Sequence, residues 1–319
     1  MNTVASLITL LLHAALMAAA APVLTGVLRW MRARLLGRDG PPVLQPWRDL
    51  RRLARKQPVL PENVSWLFAA APMLSLSAIA AAALLVPSFT LGMASAPAAD
   101  LIVLAGLLTV SRWTMALAGL DSGTAAGGIG TSRLMSFAVL AEPALLLVVF
   151  AIATMAGSTN LDSVAATLRE GGSGLRVSLG LALAAAVIVA LAEAGRLPVT
   201  DAASSHDLTM ADDATLLAFS GWHLALAEAA AALRLLVWLS LLAVLFLPAG
   251  IAAAGTGPVA WAIGLLAWTA KIGALAAGLA LFEAGTASMR VARVPEFLGI
   301  ALLLGLLAAL FLFVSQGFA

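Results

Sequence analysis

Polar positions are so sparse along this chain that it divides into long apolar runs with short polar breaks between them. Eight runs carry the roughly 20 apolar residues a helix needs to cross about 30 Å of hydrocarbon. They are approximately 4–27, 66–86, 99–118, 135–156, 175–194, 222–247, 257–281 and 297–316. The uncharged stretch 63–99 is longer than one helix, and Pro87 with the following SFTLGMASAP splits it into a helix and a loop. PAGIAAAGTGP (248–258) separates the sixth run from the seventh in the same way. The pattern predicts an all-α, polytopic membrane protein with about eight transmembrane helices, built as one membrane domain over 1–319.

Composition sharpens this. Hydrophobic residues make up 62% of the 319 residues and charged residues 11%, against about 25% charged in soluble domains. Too little charge is present to cover a water-facing surface, so a soluble enzyme is excluded. With no cysteine, the chain cannot hold a thiolate-ligated iron–sulfur cluster, a cysteine zinc site or a disulfide. His13, His206 and His223 are too few and too scattered for a haem-carrying bundle.

Charge placement predicts orientation. Residues 1–28 hold no charge, and the first basic residue, Arg29, follows the apolar run, the reverse of a cleavable signal. Segment 29–64 then holds nine of the eighteen basic residues: Arg29, Arg32, Arg34, Arg38, Arg48, Arg51, Arg52, Arg55 and Lys56. Arg133, Arg196, Arg290 and Arg293 fall on the same expected side, and only Arg169 and Arg176 on the other. The basic side is expected in the cytoplasm, with 29–64 cytoplasmic and both termini external. Without interleaved aromatics or a domain around it, this loop does not suit nucleic acid. The anionic inner leaflet or an acidic partner suits it better.

Six ionisable residues fall within or at the ends of the runs: Glu142, Glu193, Glu228, Arg234, Lys271 and Glu283. Charges in hydrocarbon usually face a bundle interior, a cavity or each other. Two readings of Glu142 stay open: a site beside the turn that Pro143 disturbs, or a helix-end ion pair with a basic residue such as Arg133. Lys271 lies near the middle of its run and needs a carboxylate from another helix, with Glu142 and Glu228 as the candidates. Glu228 and Arg234 are six apart, about 240° around a helix, so each needs its own partner. The loop GRLPVTDAASSHDLTMADDATLLAFSG (195–221) gathers Asp201, His206, Asp207, Asp212 and Asp213. Its spacing matches no strong metal signature, and an acidic surface that receives a partner is the simpler use.

Several motifs then become recognisable. GRDGPPVLQPWRDLRRLARK (37–56) resembles the first inner loop of the subunit-1 family of respiratory complex I, through Gly37, Arg38, Gly40, Pro41, Leu44, Gln45, Pro46 and Asp49. LAGLDSGTAAGGIGTSRLMSFAVLAEPALLL, AEAGRLPVTDAASSHDLTM, FSGWHLALAEAAAALRLLVWLSLLAVLFLP and MRVARVPEFLG follow in family order. Glu193, Arg196, Pro198 and His206 are similar to the branch that holds the membrane subunit of group 4 energy-converting hydrogenases and formate hydrogenlyase. The chain departs from that pattern at several positions. Leu134 and Ala218 stand where the family has glutamate, Phe219 where it has tyrosine, and Asp212-Asp213 where it has His-Glu; Arg234 replaces a usual lysine.

The resemblance implies a membrane anchor with no redox centre and no catalysis of its own. Nickel–iron and iron–sulfur centres would belong to partners: hydrogenase-like large and small subunits, a ferredoxin-like iron–sulfur subunit, and an antiporter-like membrane subunit alongside. It implies a proton path through Glu142, Glu193, Arg196, Glu228, Arg234, Lys271 and Glu283. The peripheral arm would dock on Arg38, Gln45, Asp49, Arg51, Arg52, Arg133, His206, Asp207, Asp212 and Asp213. The alternatives are a complex I-type quinone reductase subunit, and a non-redox ion carrier or docking scaffold on the same fold.

Overall fold

The computed structural model describes residues 3–170, 177–197, 199–200, 215–286, 289–290 and 293–317. Ten α-helices appear among them: α1 (Thr3–Leu35), α2 (Gln45–Ala54), α3 (Trp66–Leu85), α4 (Leu101–Asp121) and α5 (Ala125–Ala156), then α6 (Leu161–Glu170), α7 (Val177–Glu193), α8 (Gly221–Phe246), α9 (Pro258–Gly285) and α10 (Val294–Gly317). Seven are long and apolar enough to cross a membrane, and α7 is a shorter apolar helix of 17 residues. The protein is all-α and polytopic. One two-residue parallel pairing, Val199–Thr200 with Met289–Arg290, ties the loop after α7 to the loop after α9.

Local chemistry sets the helix ends. Ser65 caps α3 by accepting from the Leu67 N–H, and Thr124 caps α5 by accepting from the Gly127 N–H. Gly157, at φ 71°, takes the left-handed conformation that ends α5. α5 stays helical across Pro143, although the ring removes that turn's backbone donor. α2 is amphipathic and has a proline in its first turn. Pro46 is buried while Arg48, Arg51 and Arg52 point outward, as suits a helix lying along a membrane surface.

α8 is the axis of the bundle, packing against α1, α2, α3, α6, α7 and α9. It buries 83% of its most apolar stretch, whereas α9 at the rim buries 28%. Trp268 of α9 donates its indole N–H to Ser240 of α8 at 3.2 Å and fixes that seam.

The two ends of the bundle are built differently. The basic end carries α2 and the arginine-rich loop. At the opposite end, the segments after α3, α5 and α8 are laced by backbone bonds: Leu91 N–H to Ala252 O at 3.0 Å, Ala252 N–H to Phe89 O at 3.0 Å and Leu101 N–H to Thr159 O at 2.9 Å. Arg169 donates to the Ile251 carbonyl at 2.9 Å and Asp162 accepts the Gly92 N–H at 2.5 Å. Burial pushes the Asp162 carboxyl above its ordinary value, against the Gly92 bond. Just inside this end, His13 is fully buried. Its Nε2–H donates to the Ala83 carbonyl at 2.8 Å, so its Nδ1 accepts from the Ser88 hydroxyl at 2.7 Å.

Candidate functional site: a buried charge cluster beneath an open cavity

Arg112 stands near the middle of α4 and reaches two other helices at once. Its Nη1 donates to Glu142 Oε1 on α5 at 3.1 Å, and its Nη2 to Glu193 Oε2 at the end of α7 at 2.6 Å. The side chains of Arg112 and Glu193 are each 6% exposed and that of Glu142 is 32% exposed, so Glu142 is the more open member. A planar guanidinium suits this because its donor fork can serve two carboxylates in one plane. Beside it, Arg234 of α8 donates to the Ser111 hydroxyl at 3.4 Å, and Ser111 is hydrogen-bonded to Ser75 of α3 at 2.7 Å. Five helices thus bring polar groups to one level. A cavity of about 20 Å³ lies between Arg112, Arg234, Ser75, Thr215 and Leu134, large enough for one water-sized occupant.

Toward the basic end lies a larger cavity of about 500 Å³, lined by Arg29, Asp49, Arg52, Arg196 and Glu228 among others. Leu216 and Ala231 line both cavities and form the wall between them. Arg196 closes one side and pairs with Glu283 of α9 at 3.5 Å; Arg32 approaches the same carboxylate at 3.9 Å. Burial lowers the Arg196 guanidinium from its ordinary value, Glu283 opposes that shift, and Arg29 and Arg32 add to it. Toward the opposite end the surroundings turn apolar. Leu104, Leu145, Val148, Ile152, Trp238 and Leu241 close around a void of about 10 Å³.

The candidate residues therefore separate. Glu142, Glu193 and Arg234 gather around Arg112, while Arg196, Glu228 and Glu283 surround or adjoin the open cavity. Glu142 takes Arg112 as its partner, not Arg133. Lys271 joins neither group, and no ion pair or hydrogen bond reaches its ammonium among the described residues. Of the docking candidates, Gln45 donates to Asp49 at 3.1 Å and Arg52 pairs with Asp49 at 3.5 Å. Arg38 and Arg51 are exposed, and Arg133 is half-buried on the third turn of α5. His206, Asp207, Asp212 and Asp213 lie outside the described residues, as does Asp201. Among the described residues, no three His, Asp or Glu side chains are grouped to hold a metal.

Leu134 is buried and lines the same small cavity as the two arginines, and Phe219 belongs to the apolar cluster that adjoins it through Met115. Phe219 stacks on Phe68 of α3, with centroids 4.4 Å apart and rings 15° from parallel.

A family model described as NADH dehydrogenase matches residues 7–314. The chain belongs to that family. Within it, formate hydrogenlyase subunit 4 of Escherichia coli (strain K12) is 32% identical over 287 residues, 90% of this chain and 92% of that protein. Hydrogenase-4 component C of the same organism is 34% identical over 229 residues, 72% of this chain and 71% of that protein. The family fold also superposes on a chain of the membrane-bound sulfane sulfur reductase, an archaeal respiratory membrane complex. The TM-score is 0.77 over 95% of this chain and 99% of that one, at 18% identity, a likeness of fold alone. The protein is thus a family membrane subunit related to hydrogenase-4 and formate hydrogenlyase components.

Proposed function

We propose that this chain anchors a hydrogenase-type oxidoreductase complex in the membrane. It receives the peripheral redox arm at its basic end and couples that arm's turnover to proton movement. The basic end faces the cytoplasm and both termini face outward. The nickel–iron and iron–sulfur centres belong to the partners: large and small hydrogenase-like subunits and a ferredoxin-like subunit, with an antiporter-like subunit beside this chain in the membrane.

The observation that carries the reading is the thin wall of Leu216 and Ala231 between the open cavity and the Arg112 level. Two carboxylates share one guanidinium there, so the trio can hold a proton without leaving Arg112 unpaired. A change of charge or shape in the docked arm acts first on Arg29, Arg52, Arg196 and Glu228. Their field reaches the buried trio through a low-dielectric wall, where charge interactions are strong. A proton drawn across the wall neutralises one carboxylate, and Arg112 turns fully to the other.

The test is redox turnover and proton uptake measured together in sealed vesicles holding the whole complex. Glu142→Gln and Glu193→Gln should keep redox turnover and lose most of the uptake. An unchanged proton-to-electron ratio in both assembled variants would reduce the trio to a structural ion pair.

A further inference from the structure

Lys271 stands inside an apolar helix with no ion pair or hydrogen bond among the described residues. It lies 13 residues after Pro258, the first residue of α9, and 12 before Glu283. At 1.5 Å per residue its Cα is therefore about 18–20 Å along the helix from either level. A lysine side chain extends about 6 Å, so its ammonium cannot reach water or a lipid phosphate at either interface of a roughly 30 Å core. Of the carboxylates expected to meet it, Glu142 pairs with Arg112 and Glu228 lines the open cavity.

The surroundings of Lys271 point outward from the bundle. α9 packs mainly on α1 and α8, with Trp268, Ile272 and Ala276 buried in that seam. Lys271 is half-buried at the seam's edge, next to the exposed Ala270, Gly273 and Ala274. Small residues there let another helix approach closely, and a cation at mid-membrane selects which helix gains by coming.

We infer that Lys271 and the adjoining small-residue face of α9 seat a transmembrane helix of a partner membrane subunit, one that carries an Asp or Glu carboxylate at mid-membrane. The inference rests on the reading of this chain as one subunit of a membrane complex. It takes Lys271 out of the proposed path within the chain and makes it the link across a subunit boundary. The pairing removes an unanswered charge from each side, so it contributes to assembly and to the choice of partner.

The experiment uses the whole complex, purified in mild detergent through a tag on this chain, with Lys271→Met and Lys271→Arg. Lys271→Met should lower recovery of the neighbouring membrane subunit at least about tenfold, because it strands a buried carboxylate on that subunit. Lys271→Arg should retain most of it. In this cysteine-free chain, Ala274→Cys carrying a benzophenone maleimide should photo-crosslink to a transmembrane peptide that contains Asp or Glu. Equal recovery in Lys271→Met, or an adduct only to lipid or to a second copy of this chain, overturns the inference. So does a lower thermal midpoint of the isolated chain with Lys271→Met, since the lysine would then serve the fold itself. Peripheral subunits are scored separately in the same preparations. Their retention keeps the reading of the basic end intact whatever happens at Lys271, and their absence from wild type would count against that reading alone.

Discussion

Arg112 and Lys271 both stand near the middle of long apolar helices, and the fold treats them in opposite ways. Around Arg112, α4, α5 and α7 converge, and the guanidinium meets two carboxylates at 3.1 and 2.6 Å. Around Lys271, α9 lies at the rim and offers no partner from the described chain. The same physics, the cost of charge in hydrocarbon, is met internally in one region and left for something outside in the other. A charge satisfied within the chain belongs to its fold and its internal chemistry, whereas an unsatisfied one belongs to assembly.

The largest expected effect breaks the comparison from the Arg112 side. Arg112→Met strands two carboxylates and should cost about 3–5 kcal/mol, the usual price of removing one partner of a buried pair. Thermal unfolding of the isolated chain in detergent should show it. Adding Glu142→Gln and Glu193→Gln to that variant should restore much of the loss. On the same assay Lys271→Met should stay within about 0.5 kcal/mol of wild type or exceed it. Equal losses at the two sites would erase the distinction.

A middle-sized effect sharpens it at Leu134. This side chain lines the same small cavity as Arg112 and Arg234, so the sign of a charge placed there should matter. Leu134→Lys should be less stable than Leu134→Glu by about 2 kcal/mol, since one adds a like charge and the other an opposite one. Paired melting curves decide it, and an equal cost would mean that the cavity is screened from both arginines.

The smallest effect gives the scale for a charge that water still reaches. Asp100 caps α4, accepting from the Ile102 N–H at 2.7 Å and the Thr159 hydroxyl at 2.5 Å. The Thr159 bond holds its carboxyl below the ordinary value, helped by backbone N–H groups and opposed by slight desolvation. Asp100→Ala should cost about 1 kcal/mol at neutral pH. Because the folded value is depressed, that contribution is complete above the ordinary carboxylate value and fades as the pH falls through the folded one. The gap between wild type and Asp100→Ala should therefore close in acid.

Much of this was legible in the residues before any coordinates. The apolar runs mark the helices, the arginine-rich loop and its motifs mark the family, and the carboxylates Glu142 and Glu193 stand out by chemistry alone. Arg112 does not stand out in the sequence, because it falls inside the expected run 99–118 with no carboxylate near it in that run. α4 runs to Asp121 and puts it at mid-helix, where its partners come from α5 and α7, far away in the sequence. The surroundings of Lys271 are not legible in the sequence for a different reason. α9 is apolar on every side, so its periodicity carries no record of which face turns inward. Only the packing of α9 against α1 and α8 supplies that direction.

The apolar layer beyond Arg112 also has an electrical meaning. Leu104, Leu145, Val148, Ile152, Trp238 and Leu241 separate the charged trio from the laced opposite end. A membrane voltage falls mostly across the least polarisable part of its path. The trio therefore sits close to the potential of the basic side, and a proton passing from the open cavity to Glu142 or Glu193 does little electrical work. Crossing the leucine-rich layer would carry nearly all of the roughly 2.3 kcal/mol per elementary charge per 100 mV. Voltage steepness thus distinguishes a proton that only visits this chain from one that crosses the membrane through it.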